Sequence, residues 1–109
     1  MQTSGSKRMM IFTTILILAG LPLAAIAQSE ATFKAKCAMC HGADGSANSP
    51  AGKSMGARDF RSPEVMKESE AELQQAIESG RKKMPAYKGK LSDSDIQGLV
   101  KYIRQLQGK

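Results

Sequence analysis

Tryptophan is absent, and three Phe and two Tyr are the only other large aromatic side chains in 109 residues. A chain with so few large rings builds a thin core, and domains of this size commonly need a staple such as a disulfide, a metal or a cofactor. Cysteine is almost as scarce. Cys37 and Cys40 are the only two, and His41 is the single histidine. Structural zinc takes four ligands, so a site made of Cys and His alone is ruled out. A Cys37–Cys40 disulfide would close a tiny loop and join nothing distant. Strand-like alternation, internal repeats and low-complexity tracts are all missing. Without strands there is no βαβ setting for a thioredoxin-type C-x-x-C motif. The basic surplus is modest, +6 over the whole chain, and no aromatics are interleaved with it, which argues against nucleic acid as a partner.

The apolar residues are unevenly spread. Lys7 and Arg8 precede an apolar run from Met9 to Leu23, which contains Pro22 and leads to Ala25-Ile26-Ala27. Basic start, apolar middle and small-x-small end are the order of a secretory signal. We expect residues 1–27 to be such a signal, cut after Ala27, and residues 28–109 to be one domain. The run is nearly long enough to span a bilayer, so an uncleaved anchor is the alternative. Residues 28–109 carry ten acids against fourteen Lys and Arg, a net charge of +4. Export places the cysteines in an oxidising compartment, the periplasm of a bacterium.

The remaining pattern is all-α. A first helix is expected from Ser29, with Glu30 in its first turn, through Phe33 to the cysteines. Residues 42–56, rich in Gly, Ala, Ser and Asn, read as a loop. Ser62-Pro63-Glu64 opens a short helix to about Glu68. Ser69-Glu70-Ala71-Glu72 is a capping-box pattern that predicts a helix over 70–79 with Leu73, Ala76 and Ile77 on one face, stopped by Gly80. Residues 80–91 form a second, basic loop. The last helix is predicted over 93–107, with Ile96, Leu99, Val100, Ile103 and Leu106 at the spacing of a buried stripe. Loops this long in a small domain are usually functional.

Cys37-Ala38-Met39-Cys40-His41 is a C-x-x-C-H sequence, which reads as covalent haem c attachment. Two sulfurs one helical turn apart reach the two vinyl groups of one haem, and the adjacent imidazole reaches the iron. With one motif we expect one haem. With His41 as one ligand, no second histidine exists to sit opposite. The sixth position is left to a methionine, a lysine, an exogenous ligand or nothing. Met39 lies inside the motif and faces the wrong way, and Met55 and Met66 are expected as core filler. Met84 sits in a loop and is followed by Pro85, which stiffens the backbone. It is the candidate ligand.

These segments together resemble the class I cytochromes c, above all the small single-haem bacterial type. Phe33-Lys34-Ala35-Lys36-Cys37-Ala38-Met39-Cys40-His41-Gly42 resembles the family's attachment helix. Gly80-Arg81-Lys82-Lys83-Met84-Pro85-Ala86-Tyr87 resembles its axial-methionine loop, and Leu91–Ile96 leading to Leu99–Arg104 its C-terminal helix. The resemblance implies the cytochrome c fold, with terminal helices crossing and shorter helices and loops wrapped around one haem. It implies that Phe33 packs near Tyr102, with Gly98 allowing close approach at or near the crossing. It implies haem c bound through Cys37 and Cys40, with His41 and Met84 on the iron. A proline carbonyl, with Pro50 as candidate, is expected to accept the hydrogen bond of the proximal imidazole. Arg58 and Lys53 are weaker candidates for the haem propionates.

Iron with both axial positions filled has no place for a substrate, so the expected activity is single-electron transfer between redox proteins and no catalytic residue is assigned. Arg81, Lys82, Lys83, Lys88 and Lys90 surround Met84, and such a rim would steer the protein to acidic docking surfaces. We expect a monomeric carrier that meets membranes only through an uncleaved signal or a membrane-bound partner. The alternatives are a haem subunit or anchored module of a larger oxidoreductase complex, and a gas-binding haem protein if Met84 is off the iron.

Overall fold

A computed structural model describes Ile15 and residues 23–109. The expected signal, residues 1–27, lies largely outside the described residues. Among the described residues there are six helices and no strand: α1 Leu23–Lys36, α2 Ala38–His41, α3 Pro50–Met55, α4 Pro63–Met66, α5 Glu70–Ser79 and α6 Asp93–Gln107. None of the described helices is long and apolar enough to cross a membrane.

The two long C-terminal helices form where their caps dictate. Ser69 Oγ accepts from Glu72 N–H while the Glu72 carboxylate accepts from Ser69 N–H, and Ser92 and Asp95 make the same reciprocal pair at α6. Each pairing satisfies backbone donors that a helix start leaves without partners. The predicted stripe of α6 is buried along its length, with Ile96 and Leu99 at 0% and 1% exposure.

At the N-terminal end two expectations change. The helix expected to begin at Ser29 is already helical at Leu23, because Leu23–Ala27 are helix-compatible residues with no stop signal. Ser29 does not cap; its Oγ donates back to the Ala25 carbonyl at 3.1 Å. The 42–56 segment, read as loop, contains α3. Its start is set by Ser49 as N-cap, with Oγ accepting from Gly52 N–H at 2.9 Å, and by Pro50 at the first helical position. The same Ser-Pro signal opens α4 at Ser62-Pro63.

α1 and α6 cross, as expected. Phe33, 1% exposed, lies with its ring centroid 5.1 Å from that of Tyr102 and 6.0 Å from that of Phe60. Gly98 faces Ser29 across the crossing, where an added Cβ would sit 2.5 Å from Ser29 Oγ. Val65, Leu73, Ile77, Val100, Ile103 and Leu106 complete the core. Met55 and Met66 are not core filler. Both are exposed, since α3 and α4 are too short to bury more than one face.

Candidate haem-attachment and ligand site

The Cys-x-x-Cys-His segment is a single tight helical turn. Cys37 ends α1 through its N–H, which donates to the Phe33 carbonyl at 2.8 Å, and caps α2, where its own carbonyl accepts from Cys40 and His41 N–H at 3.2 and 3.0 Å. Cys37, Cys40 and His41 are half-buried and both thiols are free, while Met39 points outward at 75% exposure. Burial pushes the Cys37 thiol up to about 11, although Lys36 pulls the other way. Without further chemistry this sulfur is therefore a neutral thiol.

His41 is fixed on two sides. Its ring stacks on Phe60 at 4.6 Å and 25°. Its Nδ1 lies 3.0 Å from the Arg58 carbonyl oxygen. A carbonyl only accepts, so the proton sits on Nδ1 and the Nε2 lone pair is left free. Burial holds the imidazole below its ordinary value, partly offset by the bond to the Arg58 carbonyl, which keeps it neutral and able to ligate. The expected acceptor was Pro50. That assignment is corrected: Pro50 is exposed and is spent on starting α3, and the carbonyl facing His41 belongs to Arg58, in the chain after α3.

Gly52 explains how α3 reaches the attachment turn. It is buried, and a Cβ there would collide with the Cys40 carbonyl and lie 2.9 Å from both the Ala47 carbonyl and Ser49 Oγ. Ser49 Oγ lies 2.7 Å from the Met39 carbonyl and 3.2 Å from that of Cys40. These two carbonyls at the end of α2 would otherwise lack helical partners.

Met84 is half-buried against the core at the close of a turn. Arg81 and Met84 exchange backbone hydrogen bonds, Met84 N–H to Arg81 O at 2.7 Å and Arg81 N–H to Met84 O at 3.2 Å. Gly80 has φ +73°, and a Cβ on it would lie 2.6 Å from the Met84 carbonyl, so only glycine fits before this turn. Beyond Met84 the chain is tied to α5 by Tyr87 N–H to Ile77 O at 2.9 Å and Lys88 N–H to Glu78 O at 3.1 Å. The Tyr87 hydroxyl donates to the Lys36 carbonyl at 3.1 Å, beside Cys37. Burial raises the Tyr87 phenol, and the nearby Cys37 and Cys40 add to that. The methionine loop is thus brought to the attachment turn.

Arg58, one of the two propionate candidates, has its guanidinium engaged elsewhere: Nη2 lies 2.8 Å from Glu68 Oε1. The other, Lys53, is exposed on α3. Phe60, Ser49, Glu68 and the Arg58 carbonyl were not legible as site residues. Phe60 had one usable signal, being one of only two Phe in residues 28–109. A backbone acceptor carries no signal at all.

The donor set fits haem c: two free sulfurs one turn apart, an adjacent neutral imidazole with a free nitrogen, and a thioether held in a loop tied to the same turn. Among the described residues no cluster of three or more His, Cys, Asp or Glu is placed to hold a metal ion by itself.

Comparison with known proteins agrees. No curated protein matches the sequence closely. The KustC0563 c-type cytochrome, a solved structure, is similar at 28% identity over 72% of this chain and 96% of its own, with a TM-score of 0.66. Residues 24–103, which include the attachment turn, the Met84 loop and most of α6, match the family described as cytochrome c oxidase, cbb3-type, subunit III. The chain belongs to that family of c-type cytochromes.

Proposed function

We propose that the chain is an exported mono-haem electron carrier, with haem c held by thioethers from Cys37 and Cys40 and with His41 and Met84 as the two axial ligands. The observation that carries this reading is the His41 Nδ1 bond to the Arg58 carbonyl, since it commits one ring nitrogen to the protein and leaves the other for iron. The Tyr87–Lys36 bond supports Met84 as the partner from the opposite loop.

Haem c supplies a one-electron ferric–ferrous couple, which thioether ligation biases toward the ferrous state. The protein's part is to keep the ligand geometry constant. Phe60 and the Arg58 carbonyl stop His41 from rotating, and the Arg81–Met84 bridge with Gly80 holds the methionine backbone. Lys82, Lys83, Lys88 and Lys90 are exposed around this loop, and among the described residues they make no ion pair. They are available to an acidic redox partner, with an attraction that salt weakens.

The leader is read as a cleaved signal and the location as periplasmic. A second reading, a haem-bearing subunit or anchored module of a larger oxidoreductase complex, is favoured by the family match to an oxidase subunit. It uses the same ligands and differs in the partner and in retention of the leader.

The test is the visible spectrum of protein exported with haem-attachment machinery, with Met84→Ala beside it. Low-spin bands and a methionine–iron band in the ferric wild type, lost in the variant, are expected. A high-spin wild type, unchanged by the substitution and binding carbon monoxide rapidly when reduced, would remove Met84 from the iron and make the protein a ligand-binding haem protein.

A further inference from the structure

Glu68 lies between α4 and α5, remote in sequence from both ligand segments, yet it joins them. Its Oε1 accepts from Arg58 Nη1 and Nη2 at 2.9 and 2.8 Å and from Arg81 Nη1 at 2.8 Å. Arg104 of α6 donates to the Glu68 main-chain carbonyl. The backbone of Arg58 carries the carbonyl that receives His41 Nδ1. The backbone of Arg81 is paired with Met84. One carboxylate oxygen therefore ties the residue behind His41 to the residue that opens the Met84 turn, and α6 anchors the whole arrangement.

The contacts differ from an ordinary surface ion pair. Exposed pairs contribute little because water screens them and two flexible side chains must be ordered. The Glu68 side chain is 15% exposed, and two guanidinium groups converge on its Oε1. Its other oxygen, Oε2, is buried and has no hydrogen-bond partner among the described residues. An unpartnered buried acceptor is costly and uncommon, and it is tolerated here where the charge on Glu68 holds two separate segments at once.

We infer that Glu68 is a positioning residue that clamps the His41 and Met84 segments to each other, setting how readily Met84 leaves the iron. This rests on the His41/Met84 ligation proposed above. Glu68→Gln keeps the shape and can still present an oxygen to both arginines, but removes the charge that strengthens their bonds. Arg81→Gln cuts only the methionine side of the clamp and leaves Arg58 on Glu68.

The experiment measures displacement of Met84 from ferric haem by added imidazole, followed through the methionine–iron band, in the wild type, Glu68→Gln, Arg81→Gln and Glu68→Asp. Loss of a charge-assisted hydrogen bond is expected to speed displacement about tenfold in both Gln variants, with partial rescue in Glu68→Asp. A surface control, Lys101→Gln on α6, is expected to leave the rate unchanged. A general loss of stability would not produce this pattern, because Arg81 is exposed and, among the described residues, its side-chain hydrogen bond and ion pair go to Glu68. If Glu68→Gln fails to fold, Arg81→Gln carries the test alone. Displacement at the wild-type rate in Arg81→Gln overturns the clamp while leaving the ligation intact. A wild type without any methionine–iron band overturns the ligation reading and the clamp with it.

Discussion

Replacing Gly52 by alanine adds one methyl group where α3 passes closest to the attachment turn. Gly52 does not have positive φ, so the backbone itself would accept alanine. The obstacle is space. The new Cβ would overlap the Cys40 carbonyl and lie 2.9 Å from the Ala47 carbonyl and Ser49 Oγ. Two of these three neighbours are backbone and cannot rotate away. Carbon atoms in good contact stand at roughly 3.5–4.0 Å, so α3 must retreat from α2, loosening the Ser49 bonds to the Met39 and Cys40 carbonyls. Overpacking of a rigid site costs typically 1–3 kcal/mol, and with backbone on two sides we expect the upper end, about 3 kcal/mol. For a domain of this size that corresponds to a fall in Tm of about 12–24 °C. Gly56, at the other end of α3, is the matched control. It has φ +66° and nothing within 4 Å of a Cβ, so Gly56→Ala meets only the left-handed backbone penalty, about 1–2 kcal/mol. The assay is thermal unfolding of the haem-loaded proteins by far-ultraviolet circular dichroism. A Gly52→Ala protein that melts within a few degrees of wild type, or above Gly56→Ala, would refute the claim that α3 is held against the cysteine turn by the lack of a side chain.

Other outcomes follow from the same geometry. Gly98→Ala places a methyl 2.5 Å from the rotatable Ser29 hydroxyl. It should destabilise the protein, whereas Gly98→Ala with Ser29→Ala should recover wild-type stability or exceed it, since alanine is favoured over glycine within a helix by about 1 kcal/mol; equal Tm values for the single and double variants would show that the two residues do not meet. Ser92→Ala removes a working cap bond and should cost about 1 kcal/mol in guanidinium unfolding. Ser62→Ala should cost less, because Ser62 makes no side-chain cap bond. Burial raises the Glu68 carboxyl, but the hydrogen bonds and charges of Arg58 and Arg81 together outweigh it and hold the group below its ordinary value. Its folded-state pKa is therefore depressed, so its contribution is present above the unfolded glutamate value near ~4.3 and is lost as pH falls through the lower, folded value. Wild-type stability should fall more steeply than that of Glu68→Gln below about pH 4, and parallel curves from unfolding titrations would contradict this.

Much of this molecule was written in local sequence. Ser69/Glu72 and Ser92/Asp95 mark the starts of α5 and α6 because a cap is satisfied within four residues, and the α6 stripe is a periodicity that needs no partner to be seen. The C-x-x-C-H turn is equally local: three reactive groups on one helical turn. The crossing of Phe33 and Tyr102 followed from family resemblance. α3 is masked in the sequence although Ser49-Pro50 repeats the signal that opens α4, because the glycine and small polar residues on either side have the composition of a loop and only the packing of Gly52 on Cys40 holds the segment in place. The carbonyl facing His41 could not be read from any residue type, since every residue carries one and only the path of the chain after α3 selects Arg58 over Pro50. Nor could the meeting of Arg58, Arg81 and Arg104 at Glu68, because charges separated by tens of residues carry no sign in the sequence of which of them will be brought within 3 Å. Sequence by itself marked α4, α5 and α6, the sulfur and imidazole donors, and Met84 as the candidate to face them. Tertiary structure decided what orients those donors, because orientation depends on backbone atoms and long-range contacts that exist only once the chain has packed.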